Sequence, residues 1–144
     1  MFIGLDREMG GGFGLACVSD VAIAGPTAKF GMPETSLGII PAQIAPFVVE
    51  RIGLAQARRL ALLGLRVGAE EACALGIVHQ AASSDVELDD MLAHALERVR
   101  HCAPNATAET KTLLHRVGHE SMSGLLDSAA EMFATAVRGS EGTE

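Results

Sequence analysis

From Gly10 to Pro41 the chain is broken by Gly10-Gly11-Gly12, Gly25-Pro26, Gly31, Pro33, Gly38 and Pro41, and no long regular element survives that density of breakers. What fits between them is short. A helix entered through glycine runs from Gly11 to about Ser19, and a buried strand covers Val21–Ala24 between Asp20 and Gly25-Pro26. A second short strand suits Ala28–Phe30, and the rest up to Pro41 reads as a loop. In that loop, behind Pro33, stands one carboxylate, Glu34. Loops held by flanking elements are where sites tend to sit.

Past Pro41 the pattern turns helical. Ile44, Phe47, Val48 and Ile52 share a face up to Gly53, with Pro46 tolerable in the first turn. A second helix spans Leu54–Leu63 and closes at Gly64. A third spans Ala69–Leu75 and closes at Gly76, and Ile77–His79 reads as a strand. Ser84-Asp85-Val86-Glu87 is a capping-box pattern, followed by Leu88, Met91, Leu92, Ala95, Leu96 and Val99 at helical spacing. Pro104 ends that helix, and Asn105 or Thr107 is placed to cap the next. Leu125, Leu126, Ala129, Met132, Phe133, Ala136 and Val137 stripe a last one. No internal repeat, low-complexity segment or linker is visible, and the pattern suggests two regions, 1–80 and a helical 81–144.

Composition narrows the partners. Apolar residues make up 49% of the 144 residues and the mean hydropathy is +0.29. No apolar run approaches the roughly 18 residues of a membrane span, so the excess apolar surface is expected to lie against other protein. A net charge of −7 with 3% aromatics speaks against nucleic acid as the main partner. Asp6, Arg7 and Glu8 stand where a signal peptide needs its apolar segment, and Cys17, Cys73 and Cys102 form neither a disulfide framework nor a metal pair. A cytoplasmic protein is the expectation, with no membrane partner.

Two features carry chemistry. Gly10-Gly11-Gly12 fails the dinucleotide fingerprint, because Leu15 falls where the last glycine belongs, and it lacks the Lys-Ser/Thr of a P-loop. It leaves a helix start whose first N–H groups are unpaired at the positive end of the dipole, which suits an oxyanion. A tight turn or close backbone packing is the other reading of the same glycines. Glu34 sits among apolar and breaker residues, where partial desolvation would raise a carboxyl toward useful acid/base behaviour. Read alone, it is more often an exposed loop glutamate. Asp20 reads as a turn former. His115 and His119 share a helical face but have neither a third ligand nor an H-E-x-x-H pattern, so no metal site is expected. His79, His94 and His101 read as ordinary surface or core-edge residues. Arg51, Arg58 and Arg59 form a local basic group that suits phosphates or a solvated helix face.

GGGFGLACVSDVAIAGPTAKFGMPETSLGIIP followed by RIGLAQARRLALLGLRVGAEEACALGIVH resembles the second half of the crotonase (enoyl-CoA hydratase/isomerase) superfamily. The order of motifs is specific: triple glycine, acid after the helix, Pro-Glu, Leu-Gly-x-x-Pro, then Ala-x-x-Ala-x-x-Leu-Gly. The resemblance implies an α/β fold, here the C-terminal half of a crotonase fold: a remnant of the ββα spiral (1–80), then a C-terminal helical bundle (81–144) that packs trimers, often paired into hexamers. It implies an acyl-CoA thioester as substrate, no separate cofactor, and a thioester carbonyl held by two backbone N–H groups. Gly11 falls on one of those two donor positions and Glu34 on one of the two catalytic glutamates common in the family. Gly10, Gly12, Gly14, Pro33 and Pro41 are the expected substrate-binding positions around them.

The departures are as informative. The other common glutamate, two places after the third glycine, is Gly14 here, so the usual two-glutamate water addition is not available. That glycine, with Ala-Gln-Ile-Ala-Pro-Phe after Pro41, looks most like the branch hydrating methylglutaconyl- and isohexenylglutaconyl-CoA esters. Glu34 alone also suits an isomerase, which needs a single proton carrier. Family members carry a substantial segment before the triple glycine, whereas nine residues stand there in this chain. Leu5-Asp6-Arg7-Glu8-Met9 does not read as the usual lead-in strand. The expectation is a chain truncated at both ends: a hydratase-type enzyme, an isomerase, or a non-catalytic homologue that keeps the assembly helices.

Overall fold

The structure, a computed structural model, describes residues 2–5 and 10–143; Asp6, Arg7 and Glu8, read above against a signal peptide, lie outside the described residues. The chain divides into two compact units, Met1–His94 and Ala95–Glu144. The division falls inside helix α4 (Asp85–Arg100), later than the 80/81 boundary suggested by the sequence.

In the first unit, strands β1 (Phe2–Leu5), β2 (Val21–Ala24) and β5 (Gln80–Ala81) form a parallel sheet with β2 in the middle. Phe2 pairs with Val21 and Leu5 with Ala24 on one side of β2, and Ile23 pairs with Gln80 on the other. A central parallel strand is covered on both faces, which is why β2 is apolar without alternation; Ala22, Ile23 and Ala24 are all fully buried. A strand does precede the glycines, Phe2-Ile3-Gly4-Leu5, which pairs along the edge of β2; of the stretch Leu5–Met9 read above as unlike a lead-in strand, Leu5 ends β1 and residues 6–9 lie outside the described residues.

β3 (Lys29–Gly31) pairs antiparallel with β4 (Arg66–Gly68), a strand the sequence pattern does not announce. Arg66-Val67-Gly68 is too short for a period to show. The strand expected at Ile77–His79 begins instead at Gln80. Ile77 and Val78 are apolar because they fill the core, 0% and 2% exposed, and not because they pair.

Helix α1 (Gly10–Cys17) lies between β1 and β2 in the chain. Its Phe13 is fully buried and meets Phe30 of β3 edge to face, with ring centroids 6.2 Å apart. Helix α2 (Ala45–Leu62) is two helical runs separated by a break at Gly53, whose backbone takes φ 76° and ψ 159°. The stop read at Gly53 is therefore real. Helix α3 (Ala69–Ala74) follows β4. At the start of α4 the capping box is displaced by one residue. Ser84 Oγ accepts the Glu87 N–H at 3.2 Å, whereas the Glu87 carboxylate reaches Ser83, accepting its N–H at 2.7 Å and its hydroxyl. Those two hydrogen bonds, the hydroxyl first, hold the Glu87 carboxyl below its ordinary 4.5.

The second unit contains α5 (Pro104–Arg116) and α6 (Met122–Arg138). Pro104 opens α5 at its first turn, and neither Asn105 nor Thr107 caps it. The Asn105 and Ala106 N–H groups donate to Glu141 at 3.0 and 3.1 Å, a cap delivered from far along the chain. Thr107 turns its hydroxyl back to the Ala103 carbonyl. Arg116 joins the two helices, holding Glu120 through two hydrogen bonds of 2.7 and 2.8 Å and donating to Ser128 Oγ of α6 at 2.8 Å. Of the expected α6 stripe, Leu125 is buried, whereas Leu126 and Phe133 are 60% and 72% exposed. Among the described residues no helix is long and apolar enough to cross a membrane.

Candidate active site

The carboxylate is held by a short device. After Phe30 of β3 and Met32, 3% and 1% exposed, the chain enters a 3-10 turn at Pro33–Leu37 with Pro33 in its first turn, where the missing N–H costs nothing. Gly38 ends the turn in the left-handed region, φ 73°, and the Ile39 N–H donates to the Glu34 carbonyl at 3.1 Å. Ser36 Oγ donates to the Pro33 carbonyl at 2.6 Å. Thr35 Oγ1 donates to the Ala61 carbonyl of α2 at 2.7 Å, fastening the turn to that helix.

Glu34 itself is half-buried, and its Oε2 is buried with no hydrogen-bond partner among the described residues. A buried acceptor without a donor costs about 1–3 kcal/mol, and more for a charged group. Orphans of this kind are rare in folded proteins and call for an explanation.

Gly10 and Gly11 are the first two described residues of α1. Gly12 is buried. Gly14, two residues further on, is buried too, and a Cβ there would lie 2.7 Å from Ile44 Cγ2. The position that carries a glutamate in the two-acid scheme is thus filled from outside by a branched side chain. Pro41 is half-buried just before α2, its carbonyl accepting the Ala45 N–H at 3.0 Å. Gly14 and the Glu34 turn are brought onto the same helix: Gly14 meets Ile44 at the entry to α2, and Pro33, Thr35 and Ser36 surround Gly64 just past its end.

The basic group at 51–59 does not act as a unit. Arg51 donates to the Gly76 carbonyl at 2.9 Å and to the Ser19 carbonyl at 3.5 Å, and its Nη2 lies 3.3 Å from both ring nitrogens of His79. His79 is structural: its Nδ1 accepts the Ala22 N–H of β2 at 3.0 Å. Arg59 pairs with Glu71 at 2.6 Å, and Arg58 is exposed. Burial pushes the Cys17 thiol at the end of α1 up from 9.0 to about 11 against the pull of Arg51, so it stays protonated and is no nucleophile. Asp20 is an exposed bend residue before β2. Among the described residues no group of three or more His, Cys, Asp or Glu is placed to hold a metal. The contacts by which Ile44, Thr35 and Arg51 shape the site are not readable in the sequence, where Ile44 shows only as part of a helix face and Arg51 only as part of a basic group. Each acts on a part of the chain remote in sequence, and no local pattern marks it.

A glycine-opened helix, a Pro-Glu turn and a helix that carries both define a fold and site with known counterparts. The family model for enoyl-CoA hydratase/isomerase matches residues 7–140, and the chain belongs to that family. A solved enoyl-CoA hydratase/isomerase from Marinobacter aquaeolei is 74% identical, with a TM-score of 0.94 over 99% of this chain and 55% of its own. Pseudomonas aeruginosa AtuE is 56% identical, with a TM-score of 0.91 over 97% of this chain and 56% of its own. The 2,3-dehydroadipyl-CoA hydratase of Escherichia coli K12 is 31% identical over 126 residues, 87% of this chain and 49% of that protein. The α/β crotonase fold expected from the motifs is therefore present, and the chain spans about half the length of these relatives.

Proposed function

We propose that the protein is a hydratase of α,β-unsaturated CoA thioesters in which Glu34 is the acid/base and the Gly11 N–H is one donor to the enolate oxygen. The observation that carries this reading is the buried, unpartnered Glu34 Oε2. In the reaction, water oxygen bonds to the β-carbon, the π electrons pass toward the thioester carbonyl, and a proton is delivered to the α-carbon. One water O–H bond breaks as the oxygen adds, its proton passing to Glu34, which returns a proton to the α-carbon, and helix-start N–H groups bear the charge that develops on oxygen meanwhile. Such chemistry draws on no separate cofactor beyond the CoA thioester, which is the substrate. Gly10 and Gly12 let the backbone approach the thioester, and Gly14, Pro33 and Pro41 shape the walls.

With glycine at 14 and Ile44 against it, α1 offers no second carboxylate. A substrate bringing its own acid group, of the branched glutaconyl type, fits this arrangement. The E. coli relative named for dehydroadipyl-CoA, a dicarboxylic acyl group, supports the idea. The same lone carboxylate favours a second reading, an enoyl-CoA isomerase that removes a proton from one carbon and returns it to another. We place the protein in the cytoplasm as a homotrimer or hexamer built through its C-terminal helices, without a nucleic-acid or membrane partner.

Glu34→Gln tests the assignment. Turnover is expected to fall by about 10²–10⁴, the usual worth of a positioned acid/base. Retention of the wild-type rate on every enoyl-CoA removes Glu34 from the mechanism. Product analysis on a glutaconyl-type CoA and a 3-enoyl-CoA separates hydration from isomerisation.

A further inference from the structure

Helix α2 touches both halves of the site, and it does so with different halves of itself. Before Gly53, Ile44 and Val48 lie one turn apart and Arg51 falls on the same face. Ile44 packs on Gly14 of α1, Val48 is fully buried, and Arg51 reaches the Ser19 carbonyl just past the end of α1. After Gly53, Ala57 and Leu60 are buried, Ala61 accepts the Thr35 hydroxyl, and Gly64 lies against Pro33, Thr35 and Ser36.

Between the two halves Gly53 sits at φ 76° and ψ 159°, a conformation essentially reserved for glycine. A Cβ at Gly53 would meet nothing within 4 Å. The glycine is therefore required by its backbone angle and not by space.

We propose that α2, through its break at Gly53, is the positioning element that sets Glu34 relative to the N–H groups of α1. The N-terminal half fixes the donor helix, the C-terminal half fixes the carboxylate turn, and the angle at Gly53 fixes one against the other. Gly53 and Thr35 are positioning residues that touch no substrate. The proposal rests on the reading of Glu34 as the acid/base, so its test includes an arm that does not use activity.

The experiment compares Gly53→Ala, Thr35→Val and Thr35→Ser with the wild-type protein by steady-state kinetics and by amide hydrogen exchange. Gly53→Ala is expected to lower kcat about tenfold or more with KM retained, since misplacements of about 1 Å cost up to 10²-fold. In the same variant, exchange should rise together in segments 10–18 and 33–38. Thr35→Val should raise exchange in 33–38 and lower kcat with KM retained, and Thr35→Ser, which keeps the hydroxyl, should restore both. Changes confined to the neighbours of residue 53, or a KM effect with kcat intact, would overturn the proposal. If Gly53→Ala does not fold, the Thr35 pair decides: an unchanged kcat and unchanged exchange in Thr35→Val overturns it. An inert Glu34→Gln result with coupled exchange in Gly53→Ala would sink the catalytic reading and leave the mechanical one standing.

Discussion

Replacing Gly14 by alanine isolates the contact that denies α1 a second side chain. The added Cβ would stand 2.7 Å from Ile44 Cγ2, closer than real Cβ atoms come to their neighbours, and 3.5 Å from Ile44 Cβ. Ile44 yields poorly because a β-branched chain is stiff at χ1. Overpacking of this kind costs about 1–3 kcal/mol. Against it, alanine in a helix interior is better than glycine by about 0.5–1 kcal/mol. The net expectation is a loss of roughly 0–2.5 kcal/mol.

In an Ile44→Ala background the clash is gone and only the helix gain remains, so the same Gly14→Ala change should stabilise by about 0.5–1 kcal/mol. The sign therefore reverses between backgrounds, a coupling of about 1–3 kcal/mol, well above the roughly 0.5 kcal/mol scatter of independent sites. Urea unfolding followed by far-ultraviolet circular dichroism reads the cycle; the chain has no Trp or Tyr, so intrinsic fluorescence is a poor probe. Equal effects of Gly14→Ala in both backgrounds would refute the argument.

Glu141→Gln, which removes the charge that caps α5, should destabilise the second unit by about 0.5–2 kcal/mol, as cap losses do. Faster amide exchange at Asn105 and Ala106 is the measurement, and unchanged exchange would contradict it. Glu87 gives a pH dependence of known sign: its folded-state carboxyl lies below the ordinary 4.5, so its contribution is present above 4.5 and lost as pH falls through the folded value. Titration by carboxyl carbon resonance should show the depressed value in the wild type and its return toward 4.5 in Ser83→Ala.

How far the sequence reveals the fold depends on whether the cause is local. Gly53, Gly64 and Gly76 were all legible as helix stops, and all three take positive φ, 76°, 58° and 79°, a demand written at the residue itself. β2 was legible because an apolar run between Asp20 and Gly25-Pro26 has its boundaries in sequence. The displacement of β5 from Ile77–His79 to Gln80–Ala81 was not, since core filling and strand pairing ask for the same apolar residues. At the site, Glu34 and the glycine-opened helix were visible by residue type and motif order. Ile44 against Gly14, Thr35 on Ala61 and the Glu141 cap were invisible for one reason. Each joins positions far apart in sequence, and nothing near either partner records the other.

The packing of Ile44 on Gly14 also bears on the routes by which such a protein can change. A codon change placing an acid at 14 meets a filled space, and its carrier loses stability before any new chemistry can be tested. The reverse order, a smaller residue at 44 first, opens the space at a modest cost and only then makes an acid at 14 tolerable. Gaining a second carboxylate at this position is thus a two-step path with an enforced order. The present glycine is held in place by its neighbour.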